Sequence, residues 1–277
     1  MPRFPSHPIR RPVAIAGASS GIGAATAHAF ADLGHPVTLG ARRVDRCESI
    51  VGALRAEGAE AAAAQLDVTD PDSVERFVAA AEQAHGPIEI AVANAGAVDP
   101  ILVDASSHTF AAQVAANLFG AQSLVAHVLP GMIARERGDI VLVSSDSALR
   151  PRTYMAGYAA AKAGLEAFAA VMRSELEGTG VRVSVIRPGP ATTEQGSTWD
   201  VDVIEAVIDS WNHFGFLRHD GALLASQVAH AIVFAATAPR GALVTELDIQ
   251  PEAPLSRDRS PHHRPGSRSE SPQENDE

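Results

Sequence analysis

Short apolar segments rich in β-branched residues alternate along this chain with longer, alanine-rich amphipathic segments. This alternation predicts strands that are each followed by a helix, which is typical of a parallel sheet covered on both faces. The sequence therefore predicts a single α/β domain with a doubly wound, parallel, seven-stranded sheet and helices on both faces. The predicted strands are 12–18, 36–41, 62–68, 88–96, 139–145, 181–189 and 243–249.

Helices are expected in the intervals between these strands. One begins at an Asp70 cap, with Pro71 in its first turn, and ends at Gly86. A long helix is expected over about 107–136, and Pro130 marks a candidate break in it. The other expected helices are 22–34, roughly 43–57, 154–177 and 226–237.

Composition limits the kind of protein this can be. With 277 residues, 46% of them hydrophobic, the chain can form one large domain, expected at 11–252 between a flexible segment (1–10) and a disordered polar tail (253–277). No apolar stretch is long enough for a membrane span, and the N-terminus lacks the apolar core of a secretory signal. The net charge of −11 disfavours nucleic acid as a partner, because phosphates require a basic surface. A single cysteine, Cys47, fits a reducing compartment, and no metal-ligand spacing is evident, so we expect a metal-free cytoplasmic protein.

The glycine-rich segment "AIAGASSGIG" connects the first predicted strand to the first helix. Gly17, Gly21 and Gly23 allow a sharp turn and a close approach to a ligand, and a helix N-terminus attracts anions such as a pyrophosphate. The spacing differs from the Gly-x-Gly-x-x-Gly dinucleotide fingerprint, and a purely structural turn can also use three glycines. The position directly after the first strand favours nucleotide binding.

The second predicted strand ends in "LGARR", with Arg42 and Arg43 and no acidic residue at 40–43. At this place in a doubly wound sheet, a carboxylate binds the 2′-hydroxyl of NAD, whereas arginine accommodates the 2′-phosphate of NADP. The sequence therefore favours NADP(H) over NAD(H) as the cofactor. The alternative is that both arginines only begin a solvent-exposed helix.

Tyr158 and Lys162 lie four residues apart and therefore share one face of a predicted helix. A neighbouring ammonium favours the phenolate, so this pairing predicts a lowered pKa for Tyr158 and a role as acid or base. Ser145 ends the fifth predicted strand, at the sheet edge where ligands bind, and its hydroxyl can hydrogen-bond a carbonyl oxygen. Tyr-x-x-x-Lys alone is common by chance, but together with the serine and the glycine-rich loop it indicates a catalytic site.

These motifs resemble those of the short-chain dehydrogenases/reductases, in their single-domain Rossmann-like form, over about residues 11–251. "AGASSGIG" is similar to the family's TGxxxGIG loop with Ala16 in place of threonine, and "ANAG" to its NNAG motif with Ala93 in place of asparagine. "RPGPATTE" is similar to its PGxVxT segment. The resemblance implies a cofactor site formed by Gly17, Ser19, Ser20, Gly21, Ile22, Gly23, Arg42, Arg43, Asp67, Val68, Asn94, Ala95, Gly96, Tyr158, Lys162, Pro188, Gly189 and Thr193.

The resemblance also implies catalytic roles for Asn117, Ser145, Tyr158 and Lys162. Tyr158 would exchange a proton with the substrate oxygen, and Lys162 would hold the cofactor ribose and lower the tyrosine pKa. Ser145 would orient the carbonyl, and Asn117 would hold a water that relays the proton. Tyr154 lacks a lysine four residues on and is not expected to act. The two alanine departures weaken hydrogen bonds between loops more than they affect the chemistry.

The segment 192–224 lies where the family carries its substrate lid. Asp146, next to the catalytic serine, either hydrogen-bonds a substrate hydroxyl or is a solvated loop residue, the more ordinary interpretation. Apolar side chains at helical spacing more often pack than bind substrate, yet the aromatic cluster in this segment favours an apolar ketone or secondary alcohol. The residues concerned are Trp199, Ile204, Val207, Ile208, Trp211, Phe214 and Phe216.

Three other functions stay open at this point. They are a cofactor-binding regulator or scaffold without turnover, an NAD-dependent alcohol dehydrogenase, and a different reaction on the same fold, such as epimerisation or dehydration. The resemblance further implies a homodimer or homotetramer that pairs through the helices at about 107–136 and 154–177.

Overall fold

The structure is a computed structural model, and it describes residues 6–194, 196, 199–217 and 219–254. Seven of the strands found there form one parallel sheet in the order β3-β2-β1-β4-β5-β6-β9, while β7 and β8 form a separate short pair. The predicted doubly wound, seven-stranded sheet is therefore confirmed. The strands are β1 (Val13–Ala16), β2 (Val37–Ala41), β3 (Ala61–Gln65), β4 (Ile90–Ala93), β5 (Gly138–Val143), β6 (Val181–Pro188), β7 (Ala191–Thr192), β8 (Leu223–Leu224) and β9 (Glu246–Ile249).

Helices cover both faces of the sheet. One face packs against α3, α5 and α6, through core side chains such as Phe77, Leu124 and Leu165. The other packs against α1, α2 and α8, through Phe30 and Leu54 among others. The helices are α1 (Gly21–Ala31), α2 (Val44–Ala56), α3 (Pro71–His85), α4 (Ser107–Val114), α5 (Gly120–Ala134), α6 (Ala156–Glu175), α7 (Val201–His213) and α8 (Ala225–Thr237).

The centre of the sheet determines where a ligand can bind. Every residue of β1 and β4 is buried, which is why both strands are continuous apolar runs in the sequence. The chain builds outward from β1 to β3 and then crosses back to place β4 on the other side of β1. The loops after β1 and β4 therefore diverge and leave a crevice at the carboxyl edge of the sheet, the usual ligand site of this architecture.

The long helical segment is irregular at a different place from the one predicted. A π-helical stretch, Ala115–Phe119, joins α4 to α5, and the N–H of Gly120 bonds the carbonyl of Ala115 five residues back. Pro130 lies inside α5, which continues to Ala134, so the candidate break at this proline is wrong. A proline removes a single backbone donor, whereas the π-turn widens the helix, and such turns often occur at functional sites.

The helix that carries Tyr158 begins later than predicted. α6 starts at Ala156, and Tyr154 precedes it with a left-handed φ of 66°. The carbonyl oxygen of Tyr154 accepts a hydrogen bond from the backbone N–H of Ile101 at 2.8 Å. Tyr154 therefore does not belong to the face that Tyr158 and Lys162 share.

The segment expected to be flexible at the N-terminus makes contacts where it is described. His7 Nε2 lies 3.1 Å from the carbonyl oxygen of Ala238, and Arg10 pairs with Glu60 at 2.6 Å. Residues 1–5 and 255–277, which include the predicted tail from 255 onward, lie outside the described residues. Among the described helices, none has the length and apolar character to cross a membrane. The same residues contain no cluster of three or more potential metal ligands.

Candidate active site

The glycine-rich loop packs tightly against the loop after β4. Gly17 has a φ of +79°, and a Cβ at this position would lie 2.6 Å from Cα of Ala95. A Cβ at Gly23 would lie 2.2 Å from the carbonyl oxygen of Gly17. Both contacts are too short for any side chain, so glycine is required here for the close packing of α1 against the loops.

The start of α1 carries groups that suit an anion. α1 begins at Gly21, and the side chain of Ser20 makes no capping bond to it. Arg43 Nη2 instead donates to the hydroxyls of Ser19 at 3.1 Å and Ser20 at 3.2 Å. Hydroxyls and a helix N-terminus are groups that bind phosphates, so Ser19, Ser20 and the start of α1 fit the pyrophosphate of a dinucleotide, next to Arg43, which is assigned to its 2′-phosphate.

Glu194 is a residue of this region that the sequence analysis missed. Its carboxylate accepts hydrogen bonds from Arg43 at 3.1 Å and from Arg46 at 2.8 Å. Arg43 and Glu194 are each about half exposed, with side-chain exposures of 48% and 49%. Arg42, the other arginine assigned to the 2′-phosphate, is exposed. In the sequence, Glu194 could be noticed only as the acidic residue that directly follows Thr193.

Asp67 and Val68 follow β3 and flank the crevice. The Asp67 carboxylate accepts hydrogen bonds from the hydroxyl and backbone N–H of Thr69, which hold the pKa of this carboxyl below its usual value. Val68 packs on α5, since a Cβ at Gly120 would lie 2.6 Å from Val68 Cγ2.

The residues assigned at the end of β6 lie across the crevice from the glycine-rich loop. A Cβ at Gly21 would lie 3.4 Å from the Cβ of Thr193, so the two segments are in contact distance. Pro188 ends β6, and a Cβ at Gly189 would lie 2.2 Å from Oε1 of Gln250. Ile22 lies in the first turn of α1, where its carbonyl oxygen accepts from the hydroxyl of Thr26 at 2.7 Å.

Ser145, Tyr158 and Lys162 converge at the carboxyl edge of β5. The hydroxyls of Ser145 and Tyr158 form a hydrogen bond, and Ser145 is buried. Lys162 is also buried, and its Nζ donates to the carbonyl oxygen of Val143 at 2.8 Å and lies 5.6 Å from the centre of the Tyr158 ring. The structure thus brings together Ser145, Tyr158 and Lys162. Asn117, the fourth residue assigned to catalysis, lies close by, since a Cβ at Gly96 would be 2.5 Å from Asn117 Oδ1 and 3.7 Å from Lys162 Nζ.

The pKa of Tyr158 does not follow the prediction from the sequence. Burial raises the pKa of this phenol, the hydrogen bond with Ser145 opposes that rise, and the charge of Asp146 adds to it. The predicted lowering by Lys162 is therefore wrong for this structure. Burial also lowers the pKa of Lys162 to about 8, against the opposing charge of Glu166. The four-residue spacing correctly placed the two groups near each other but carried no information on their desolvation.

Asn117 lies in the π-helical stretch and is almost completely buried. Its Nδ2 donates to the carbonyl oxygens of Ala97 at 2.6 Å and Gln113 at 2.8 Å. Its Oδ1 is buried without a hydrogen-bond partner among the described residues, and a Cβ at Gly96 would lie 2.5 Å from it. An unpaired buried acceptor is costly, so this oxygen is suited to hold a water or ligand donor.

Asp146 is not the solvated loop residue that the sequence analysis preferred. It is buried and accepts hydrogen bonds from Arg152 at 2.9 Å and 2.5 Å. The hydroxyl of Ser145 lies 3.4 Å from Oδ1 of Asp146. Asp146 and Arg152 lie six residues apart in a turn and a loop, so no helical or strand pattern in the sequence indicated that they pair.

The lid segment contacts the loops after β4 and β5. Trp211 Nε1 donates to the carbonyl oxygen of Thr153 at 2.9 Å, and the hydroxyls of Thr153 and Ser210 lie 2.7 Å apart. Trp199 Nε1 donates to the carbonyl oxygen of Val98 at 3.2 Å. In the apolar stripe of α7, Val207 is buried and Ile208 is exposed. Phe214, which directly follows α7, is exposed as well.

A sequence model of the short chain dehydrogenases matches residues 11–202, more than half of the chain. The chain belongs to the short-chain dehydrogenase/reductase family of oxidoreductases. Membership in this family confirms the resemblance that rests on the glycine-rich loop and on Ser145, Tyr158 and Lys162.

Two relatives of this short-chain dehydrogenase/reductase are matched over only part of their own length. It is 34% identical to the glycine betaine reductase ATRR of Emericella nidulans, over 90% of this chain and 19% of that protein. It is 34% identical to short chain dehydrogenase MYCFIDRAFT_6125 of Pseudocercospora fijiensis, over 67% of this chain and 61% of that protein. The chain thus spans less than two thirds of both relatives. A solved alcohol dehydrogenase of the archaeon Thermococcus sibiricus, complexed with 5-hydroxy-NADP, matches with a TM-score of 0.76 and 28% identity, over 89% of this chain and 100% of that one.

The two departures from the family motifs in this short-chain dehydrogenase/reductase are compensated by one amide. Ala16 and Ala93 are buried and have no polar side-chain atoms to join the loops after β1 and β4. Asn94 Nδ2 donates to the carbonyl oxygen of Gly17 at 2.9 Å and reaches that of Ala16 at 3.5 Å. The amide of Asn94 therefore ties the two loops together.

Proposed function

We propose that the chain is an NADP(H)-dependent oxidoreductase that interconverts a carbonyl and a secondary alcohol, with Tyr158 as the acid and base. The observation that carries this proposal is the convergence of Ser145, Tyr158 and buried Lys162 at the carboxyl edge of β5. A bound nicotinamide cofactor supplies the hydride in one direction and accepts it in the other. The residues of the chain bind that cofactor, orient the carbonyl and move the proton.

The cofactor would lie along the carboxyl edge of the sheet. Its pyrophosphate would meet the N-terminus of α1, and the hydroxyls of Ser19 and Ser20 add donors there. Arg42 and Arg43 support a 2′-phosphate and hence NADP(H) over NAD(H), as does the 5-hydroxy-NADP bound by the Thermococcus enzyme. The other residues proposed to line the cofactor are Gly17, Gly21, Ile22, Gly23, Asp67, Val68, Asn94, Ala95, Gly96, Lys162, Pro188, Gly189 and Thr193.

The proton moves between Tyr158 and the substrate oxygen. In reduction the phenol donates its proton to the carbonyl oxygen, and in oxidation the phenolate accepts a proton from the alcohol. Because burial raises the pKa of Tyr158, the phenol is protonated at neutral pH, which is the state that reduction requires. Lys162, with a pKa of about 8, is mostly charged at that pH and stabilises the phenolate left behind.

Ser145 and Asn117 complete the proposed machinery. The Ser145 hydroxyl lies within reach of the phenol and would orient the carbonyl by a second hydrogen bond. The buried, unpaired Oδ1 of Asn117 would accept a hydrogen bond from a water that passes the proton outward. Fixed groups of this kind need no reorganisation during the reaction, which is the source of their catalytic effect.

We propose an apolar small-molecule ketone or secondary alcohol as the substrate, covered by the segment 192–224. Trp199 and Trp211 support this, since each spans from the lid to a loop of the site. We further propose a cytoplasmic homodimer or homotetramer, with neither membrane nor nucleic acid as partner. Pairing through the helices at about 107–136 and 154–177 is supported by exposed apolar side chains there, namely Phe110, Phe119 and Val171.

Parallel fluorescence titrations with NADPH and NADH test this function. Both tryptophans of the chain bond loops that follow β4 and β5, so a change in their fluorescence reports binding. We expect NADPH to bind about tenfold more tightly than NADH, and an R42A/R43A variant to lose that preference. Tighter NADH binding with turnover would favour an NAD-dependent alcohol dehydrogenase. If neither cofactor binds, the proposed function is wrong.

A further inference from the structure

A buried ion pair lies beside the proposed catalytic residues, and the proton transfer described above does not use it. Arg152 donates two parallel hydrogen bonds to Asp146, and the side chains are only 12% and 8% exposed. Arg152 Nη1 also donates to the hydroxyl of Ser147 at 2.9 Å. A bidentate pair sheltered from water fixes the planes of both groups, so Arg152 and Asp146 act as one unit.

Trp211 of the lid helix holds this unit in place. The Arg152 guanidinium carbon lies 5.4 Å from the centre of the Trp211 ring, within the range of a cation–π contact. The indole Nε1 bonds the carbonyl oxygen of Thr153, the residue after the arginine. Arg152 is thus fixed from two sides, by the carboxylate and by the indole.

We propose that Arg152 is a positioning residue, which holds Asp146 against Ser145 and cancels the negative charge of that carboxylate at Tyr158. The inference rests on the proposed function, because it concerns the same tyrosine. Asp146 Oδ1 is 3.4 Å from the Ser145 hydroxyl, which in turn bonds the phenol. An unpaired carboxylate separated from the phenol by a single hydroxyl opposes formation of the phenolate that the reaction requires.

The charges that face the phenol come from three parts of the described chain. Asp146 lies in the 3₁₀ turn after β5, Arg152 in the loop before α6, and Lys162 on α6. Asp146 raises the pKa of Tyr158 and Arg152 lowers it, while Lys162 lies 5.6 Å from the ring centre. Asn117 of the π-helical stretch and Trp211 of α7, which packs on Arg152, are uncharged. Asp146 and Arg152 therefore exert opposite effects that removal of either one separates.

Direct titration of Tyr158 tests the proposal without substrate or cofactor. The chain contains two tyrosines, so Y154F leaves Tyr158 as the only one. The ultraviolet absorbance of tyrosinate, read after a rapid pH jump, then reports the pKa of this single phenol. Relative to Y154F, we expect D146N to lower that pKa and R152M to raise it, each by about one pH unit.

Two further variants separate charge from structure. R152K keeps the positive charge, so the pKa of Tyr158 in this variant should stay close to that of the parent. In D146N/R152M both charges are removed, and the pKa of Tyr158 should again be close to that of the parent. A purely structural role would give shifts of the same sign in D146N and R152M, or none, and would overturn the proposal. If R152M fails to fold by circular dichroism, D146N and R152K decide alone: an unshifted D146N overturns it.

This titration also separates the inference from the proposed function. Opposite shifts in D146N and R152M support the charge unit whether or not the protein turns over a substrate. If those shifts occur and Y158F still reduces ketones with NADPH, the proposed acid–base role fails while the charge unit stands.

Discussion

The carboxylate of Glu194 accepts a hydrogen bond from Arg43, and this contact joins the segment after β7 to the start of α2 across the glycine-rich loop. Arg46 Nη1 lies 2.8 Å from both oxygens of the same carboxylate. Arg43 is also the residue assigned to the 2′-phosphate of NADP. Glu194 therefore places a negative charge where a phosphate is expected to bind.

Neutralising Glu194 should strengthen the preference for NADP(H). In E194Q we expect NADPH affinity to rise about three- to tenfold and NADH affinity to change less than about twofold, because the carboxylate repels the 2′-phosphate. Calorimetric titration at low and high salt measures both affinities, and the gain should shrink as salt screens the charge. E205Q, an exposed acid on α7, is the matched control. Equal gains for both cofactors would contradict this role of Glu194.

Two glycine substitutions should have opposite effects. G23A places a Cβ 2.2 Å from the carbonyl oxygen of Gly17, so it should displace the glycine-rich loop and abolish cofactor binding. G52A lies on α2 with no neighbouring atom within 4 Å, and alanine is the better helix former. We expect G52A to stabilise the chain by about 0.5–1 kcal/mol and to leave cofactor affinity unchanged. Thermal unfolding and NADPH titration check both, and a G23A variant that binds NADPH normally would contradict the packing argument.

Lys162 should lower the stability of the folded chain at neutral pH. Burial lowers its pKa from 10.5 to about 8, so between these values the unfolded chain binds more protons and stability rises with pH. At pH 7 the cost of the buried charge is fully present. We expect the free energy of unfolding of K162M to exceed that of the parent by about 2 kcal/mol at pH 7. This figure already includes the loss of the hydrogen bond to Val143, and the difference should disappear towards pH 10.

The lysine prediction has a direct check, since Lys162 is the only lysine in the chain. Isotope-labelled lysine therefore gives a single side-chain resonance, whose pH titration should have its midpoint near pH 8. A midpoint above about 10, the ordinary range for lysine, would contradict the desolvation argument. K162M that is less stable than the parent at pH 7 would contradict it as well.

Removing the buried charge of Asp139, near the amino end of β5, should destabilise the chain more than removing an exposed charge. Asp139 pairs with both Arg11 and Arg182, and all three are buried. We expect D139A to destabilise the chain by about 3–5 kcal/mol, because two guanidinium groups lose their shared partner. E60A, which removes the exposed partner of Arg10, should cost at most about 1 kcal/mol. Denaturant unfolding compares the two variants, and equal losses would contradict the argument from burial.

Much of the fold was predictable because burial on both faces leaves a strong sequence signal. β2 lies within the predicted segment 36–41 and β6 within 181–189; all residues of β6 are buried, although Arg182, Ser184 and Arg187 interrupt its apolar residues. β3 was harder, since alanine is a poor strand former, and its pairing with β2 compensates for that weakness. The π-helical stretch and the left-handed Tyr154 depend on contacts between distant segments, which local propensity does not encode.

The site was predictable as a set of residues but not in its electrostatics. The motifs indicated Ser145, Tyr158 and Lys162, which the structure brings together. The raised pKa of Tyr158 arises from burial, and the Asp146–Arg152 pair arises from a loop conformation. Both depend on the complete tertiary structure, so no spacing in the sequence could reveal them.

Turnover by Y158F tests the central claim most directly. Purified parent and Y158F proteins would be compared for NADPH oxidation against a panel of apolar ketones, with NADPH affinity measured in parallel. The acid–base role predicts a loss of about a thousandfold in kcat with NADPH affinity changed less than about threefold. Y158F that retains parental turnover would contradict the account.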